Sequence, residues 1–523
     1  MKKTLFYLLL LCSLSPLYSQ NADVSTKIKK SVVFKDEYTY STIVSVDEDD
    51  KGGVVVLRSY RGGVFSGNKI KGYYIEHYDA NMKLIKDYEY EFDKRGNPLG
   101  AFLKDNKVHV VNFEYKKDIK AYVCNVSIAD IDTFKFADTE LFRVDKKEME
   151  AANDGVIYVS GDGFARMLIN DDKTAFSISL NMEDKKDKRD MRKILIYDNS
   201  LNLKFEKIFK SSVKDRKFEF QNLDVSADGT VVYLLGKAAT DAAKDKKDGS
   251  KFQYELTRLT STDVKTKSIG TGEHYISSLK AIIKKDRIAC VGFYSDKSDD
   301  HFKGLCYFDM DPVTLDIKTT KYNAFTEQFM IDKYGEKRAD KKKEKDEEIK
   351  NIDFNDFFVT EDNEIIFNGE EYYVTMHQRE KSTIFYYHYD DIITAKIAQD
   401  GSLVWIRNIN KQQASIDVMY NHASYLSFIK EGVLYFLINS DETPKILDDG
   451  RPVFGRSGKK EANLNILKVN IATGDYDYKQ LMGYKESEVT FMVAEGEYFK
   501  SSGTIYLLGR LKSKKRIVKV KME

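Results

Sequence analysis

One pattern constrains this chain more than any other. A turn residue followed by a short apolar, β-rich run recurs eight times. The copies are GGVVVLRSY from Gly52, NKVHVVNF from Asn106, DKTAFSISL from Asp172, DGTVVYLLG from Asp228, DRIACVGFY from Asp286, NEIIFNGEEYYV from Asn363, GVLYFLINS from Gly432 and GTIYLLGRL from Gly503. Another short apolar run precedes each copy, as in NLDVSA, SLKAII, DFFVTE and YLSFIK. Turn residues between two such runs mark a hairpin. After a variable gap comes a strand, a polar turn and another strand, as in KILIYDNSLNLKFEKIF and ITAKIAQDGSLVWIRNI. The two fragments together make a four-stranded antiparallel meander. Eight meanders spaced roughly 50–70 residues apart read as an all-β fold, a single β-propeller of four-stranded blades around a central channel.

The eighth unit is one strand short, with EVTFMVAE, GTIYLLGRL and RIVKVKM before the chain stops. KIKKSVVFKD, ahead of the first unit, is expected to supply the missing strand and close the ring. Closure removes two open sheet edges, which otherwise invite aggregation. Seven blades follow if one weak unit is misread, and two packed β-sandwiches are the main alternative. Composition agrees with β structure, with 34 Tyr and 31 Phe against 5 Pro in 523 residues.

The first 19 residues read as a signal peptide: Lys2 and Lys3, the apolar core LFYLLLLCSL, then SPLYSQ, with cleavage after Ser19. Lipidation of Cys12 is disfavoured by Leu11 before it. Residues 20–523 are then an exported domain without a transmembrane segment, in the periplasm or at the outer surface. The formal net charge of +1 gives no electrostatic footprint for nucleic acid. Cys124, Cys290 and Cys306 remain, an odd number that argues against a disulfide framework. Small buried thiols are the expectation, with a Cys290–Cys306 bridge across neighbouring strands as the alternative.

Strand direction gives the geometry of function. In nearly every unit the first and third connections are tight turns, so the longer connections all fall on one face. Loops on a rigid scaffold carry binding. The crossover between units five and six, about 326–350, carries a charged helical insertion. Its Lys337, Lys341 and Lys345 precede Asp340, Glu344 and Glu348 by three residues each, a helical pairing distance. This predicts a solvated helix over Lys337–Glu348 standing off the disc, as a docking arm or a spacer. In unit six both middle strands are long, with HQREKS as the expected turn. Alternation puts Tyr386 and His388 on one side and Phe385, Tyr387 and Tyr389 on the other, with Tyr372 and Tyr373 on the facing strand. These rings either pack the hairpin against itself or form a contact surface, and the two can coexist. The candidate partner-binding residues are Tyr372, Tyr373, Arg379, Phe385, Tyr386, Tyr387, His388 and Tyr389 with Lys337, Lys341 and Lys345.

Chemical motifs are missing. Gly161-Asp162-Gly163 and Gly270-Thr271-Gly272 lack the third glycine and the strand-to-helix context of a nucleotide loop. No GxSxG or HExxH occurs, and the seven histidines are scattered, so no metal, cofactor or catalytic residue is assigned.

GEEYYVTMHQREKSTIFYYHYDDIITAKIAQDGSLVWIRNINKQQ, with the Lys/Glu-rich stretch before it, resembles a group of uncharacterised secreted proteins of Bacteroidota-type bacteria. Those share a GEQYY segment, a tyrosine-rich YYYYNDI segment and a DG-x-x-x-W turn, over residues corresponding to about 325–440 here. Asp390 replaces the group's asparagine, and His388 interrupts the tyrosine run. The resemblance implies export and a propeller-like fold, and brings no activity. The leading expectation is a non-enzymatic envelope scaffold, monomeric or in a hetero-complex, that binds a protein or glycan through its loop-bearing face. The alternative is a carbohydrate-active or other hydrolytic propeller with carboxylates in the channel.

Overall fold

The recurring run is the second strand of each blade, and its burial explains its composition. All but the last residue of Val54–Arg61, and every residue of Ile288–Ser295, is buried. A strand covered on both faces reads as a continuous apolar run. The fourth strand lies at the rim, where Leu84–Glu91 is mostly exposed. The computed structural model describes residues 24–523 except 39, 63–69, 93–95, 146–164, 171–172, 185–188, 215–217, 227, 241–250, 271–272, 284–285, 380–381, 417–421 and 456–461. The expected signal peptide therefore lies outside the described residues.

Seven four-stranded antiparallel meanders span residues 40–91, 96–145, 165–214, 218–269, 275–324, 352–409 and 426–482, and an eighth sheet combines 490–522 with Thr26–Lys30. The closing strand runs antiparallel to Lys514–Met522, from Thr26 opposite Met522 to Lys30 opposite Val518. Eight hydrophobic clusters lie one between each adjacent pair of blades. The cluster of Val46, Val56, Tyr506 and Ile517 joins blade eight to blade one, so the ring is closed and has eight blades.

The innermost strands follow a shared device. Five carry a β-bulge at the same place, between Ile43 and Ser45, Pro98 and Gly100, Phe220 and Asn222, Ile276 and Ser278, and Phe354 and Asp356. A bulge re-aims the residue after it. Ser45 Oγ accepts from the Leu103 amide of blade two at 3.3 Å. Asn222 accepts from the Ala281 amide at 3.0 Å and donates to the Ala281 carbonyl at 2.9 Å. Asp356 accepts from Ser427 of blade seven. At the seam, Glu497 accepts from the Val46 amide at 2.9 Å. Polar side chains thus stitch neighbouring blades along the channel wall.

A buried ion cluster locks the seam. Arg58, fully buried, donates to Glu76 at 2.9 and 2.5 Å and to Asp36 at 2.7 Å, and Lys515 pairs with the same Asp36. Phe34 and Tyr74 each place a ring 5.0 Å from the guanidinium. Burial opposes the Asp36 charge, but Arg58 and Lys515 outweigh it and hold its carboxyl below the ordinary range. Burial dominates at Lys515 and pulls its ammonium down to about 8 despite Asp36.

Cys124, Cys290 and Cys306 are buried free thiols, and Cys290 is not bridged to Cys306. Gly292, not Cys290, faces Cys306 across the strands, and the Cys290 thiol contacts Met310 Sδ at 3.7 Å.

Candidate functional site

Over blades six and seven the long connections are built into a single structure, while those of units one and four lie largely outside the described residues. The unit-six crossover forms two helices, α1 (Glu327–Tyr334) and α2 (Glu336–Glu344), joined at Gly335 with φ 77°. This corrects the expectation of one helix standing off the disc. Thr326 caps α1, accepting from the Phe329 amide at 3.2 Å. Phe329 is fully buried against Phe325 in the core between blades five and six. The charged stretch follows as α2, with Lys337 and Lys341 exposed and Ala339 buried beneath. The expected Lys345–Glu348 pair does not form, because Glu348 is buried and accepts from Ser295 Oγ at 2.5 Å and the Asp296 amide at 2.9 Å. Among the described residues, the ion pairs formed by α2 are Lys342–Glu347 and the weaker Lys343–Glu327 at 3.7 Å.

Buried charge docks this assembly. Asp332 of α1, 2% exposed, accepts from Arg407 of the outer strand at 2.6 Å. Lys333 bridges Glu371 at 2.6 Å and Asp391 at 2.8 Å. Burial disfavours its charge, but Asp391 and Glu371 hold the ammonium above its ordinary value. Arg451, in the connection of blade seven, donates to the carbonyls of Asp332 and Lys333 at 3.0 and 2.8 Å, closing the end of α1. That connection adds Lys445–Ile446 and Pro452–Gly455 to Lys411–Gln412 as a three-stranded sheet. Lys411, fully buried, lies 2.8 Å from Glu370, whose other oxygen accepts from Ser424 at 2.7 Å. Gln413 ties its amide to Asp390 at 3.1 Å and its side chain to the Asn439 carbonyl at 2.7 Å.

From this base rises the hairpin of Ile365–Arg379 and Ser382–Ile397. Arg379 faces Ser382, so the expected HQREKS turn is instead mostly strand. The seven residues beyond Tyr372 carry the ribbon roughly 24 Å past the blade's first strand. Its two faces differ. On one, Tyr373 stacks on His388 at 4.3 Å and donates to Asp390 at 2.9 Å, Thr375 bonds His388 at 2.9 Å, and His377 meets Tyr386 at 5.0 Å. On the other, Tyr372 and Tyr389 pair at 5.2 Å near the base. Above them Val374, Met376 and Phe385 are 45, 64 and 46% exposed, with Tyr387 half-buried beside them. So one face holds the ribbon up and the other presents apolar surface. Arg379 sits at the tip, and Ala414–Ser415 pairs with Tyr387 and His388 on one edge.

The structure brings Lys345 to the hairpin's base but not Lys337 or Lys341. Lys345 lines a cavity of about 430 Å³ with Lys297, His301, Lys342, Lys350 and Tyr334, bounded by Asn351 and Glu371. Sequence reasoning missed Asp332, Lys333, Glu370, Arg407 and Lys411, because charged residues in isolation read as surface. A signal for α1 was there: Thr326 as a cap and Phe325 and Phe329 one helical turn apart.

Along the channel wall, burial raises the carboxyls of Asp353 and Asp356, with Glu370 adding to both. Asp356 is engaged by Ser427 and Asn368, and Glu370 by Lys411 and Ser424. No group of three or more metal-ligating side chains occurs among the described residues. No helix among them is long and apolar enough to cross a membrane.

No family model matches the chain, and no curated protein matches it. Solved structures similar to it are propellers and enzymes. The β-propeller domain of the Trilobed protease from Pyrococcus furiosus is 11% identical, with 87% of this chain and 98% of that one covered and a TM-score of 0.34. The WD40 domain of SCAP from fission yeast is 8% identical, with 97% and 98% covered and a TM-score of 0.39. The polysaccharide lyase Uly1 is 11% identical, with 95% and 100% covered and a TM-score of 0.37. These likenesses concern the fold alone.

Proposed function

We propose that this chain is an exported, non-enzymatic propeller of the cell envelope that captures a protein partner on the face over blades six and seven. The observation that carries this is the two-sidedness of the hairpin. Its stacked face and buried polar base fix the ribbon, while Val374, Met376 and Phe385 stay exposed on a rigid support. Exposed apolar side chains grouped on one face mark contact surfaces. Against a hydrolytic reading stands Lys411, which neutralises Glu370, the carboxylate that acts on both Asp353 and Asp356. Export rests on the N-terminal pattern and on the resemblance to secreted proteins.

The test is affinity purification of the tagged protein from its native envelope beside a variant carrying Val374→Ser, Met376→Ser and Phe385→Ser. A partner retained by the first and lost from the second supports the reading. Equal recovery from both would remove this face from consideration, and binding to a glycan array by both would redirect attention to the channel.

A further inference from the structure

The hairpin has a feature that its apolar face does not explain: an open edge. The first strand of blade six, Ile352–Val359, covers the edge of Ile365–Arg379 only as far as Glu371. Asn351 makes the last bond, its carbonyl accepting from the Tyr372 amide at 2.8 Å. There, at φ 62°, the chain turns away towards α2. Beyond it Tyr373–Arg379 pairs with Ser382–His388 on one side and, among the described residues, with no strand on the other. Because Tyr372 points its amide at this edge, Val374, Met376 and Gln378 do the same by alternation, each offering one N–H and one C=O. Such an edge is a template for an added strand.

The lysine-lined cavity lies at the lower end of this edge, bounded by Asn351 and Glu371. Its acids are already engaged: Glu348 by Ser295 and Asp296, Glu347 by Lys342, Glu371 by Lys333. Lys345 and Lys350 are exposed and have no ion pair among the described residues, which leaves net positive charge at the mouth. A strand running antiparallel to Tyr373–Arg379 would descend from the tip and arrive at this cavity with its C-terminal end.

Building on the partner-binding reading above, we infer that the partner engages by strand addition. An extended protein segment continues the first strand of blade six along Val374, Met376 and Gln378. Carboxylates at its C-terminal end, from Asp or Glu side chains or a chain terminus, sit between Lys345 and Lys350. Alternate apolar residues of the segment lie on Val374 and Met376.

The probe is a displayed library of random peptides of about a dozen residues with free C-termini, selected on the whole protein. Recovered peptides should alternate apolar residues and end in carboxylates. Synthetic copies should bind Val374→Pro/Met376→Pro about tenfold or more weaker, since proline removes two edge donors. Val374→Ala/Met376→Ala, which keeps the donors, should cost about threefold or less. Equal thermal unfolding of the two double variants confirms that the ribbon stands. Lys345→Glu/Lys350→Glu should weaken binding and flatten its salt dependence. Amidated copies separate a terminal carboxylate from acidic side chains. A library that returns no such peptide, or peptides indifferent to both prolines, overturns strand addition. If the envelope partner is still lost from the triple-serine variant, the docking face stands without it.

Discussion

Two buried ion clusters sit on opposite duties in this ring. At the seam, Arg58, Asp36, Glu76 and Lys515 join the chain's first and last blades. Over blades six and seven, Asp332–Arg407, Lys333 and Lys411–Glu370 dock elements that are added to the meanders. Both use buried charge, whose net stability is small but whose half-removal is costly. They differ in what depends on them. The seam cluster holds the closure on which every inter-blade core relies, so its failure opens the ring. The docking cluster holds an annex, so its failure leaves the ring intact. Charge at the seam therefore specifies the fold, and charge on the annex specifies a surface.

The largest expected effect breaks the first member of this comparison. Arg58→Ala leaves buried Glu76 without its counter-ion and Asp36 with Lys515 alone, and should cost about 3–5 kcal/mol, read as a lowered denaturation midpoint for the whole molecule. Arg407→Ala removes the counter-ion of buried Asp332 but leaves it the Gln328 and Asn408 donors, and should cost about 3 kcal/mol locally. Amide exchange should then quicken in Glu327–Tyr334 while Ile288–Ser295 keeps its protection. A global loss from both variants would erase the distinction between fold and annex.

How much of this was legible follows from where each signal resides. The blade repeat was readable because strands such as Val54–Arg61 are buried on both faces and cannot hide among polar residues. The closing strand was readable by subtraction, since a unit one strand short implies a donor. The channel stitches were not. Ser45, Asn222 and Asp356 look like ordinary solvent-facing positions until the bulge before each turns it to the next blade. The docking charges were hidden for a related reason: Arg407 and Asp332 are 75 residues apart, and nothing local announces that they meet. The candidate site was half readable. Alternation sorted the hairpin's rings onto the correct faces, but chain length alone could not show that one face would be spent on self-packing.

A pH measurement sharpens the seam. Lys515 titrates at about 8 in the fold, below its ordinary value, because burial outweighs Asp36. Below pH 8 both folded and unfolded chains hold the proton, and the cost of burying the charge is fully present. Between about pH 8 and 10 the folded chain gives the proton up first, so stability rises with pH by on the order of 1–2 kcal/mol. Lys515→Met should remove that rise, and near neutral pH should leave stability about unchanged, since Arg58 still neutralises Asp36. Identical pH profiles for the two proteins would mean that Lys515 contributes charge to the seam at all pH values.

The smallest expected effect lies at the far end of the annex. Met376 is 64% exposed on a ribbon whose other face does the holding. Met376→Ser should therefore shift stability by no more than about 0.5 kcal/mol. Tyr373→Phe is the informative companion, because it keeps the ring on His388 but removes the bond to Asp390. It should cost about 1 kcal/mol, confined to exchange of the hairpin amides. If the exposed substitution proved as costly as the one at half-buried Tyr373, the two faces would share the load. The apolar surface would then be structural, and the argument for a docked partner would lose its footing.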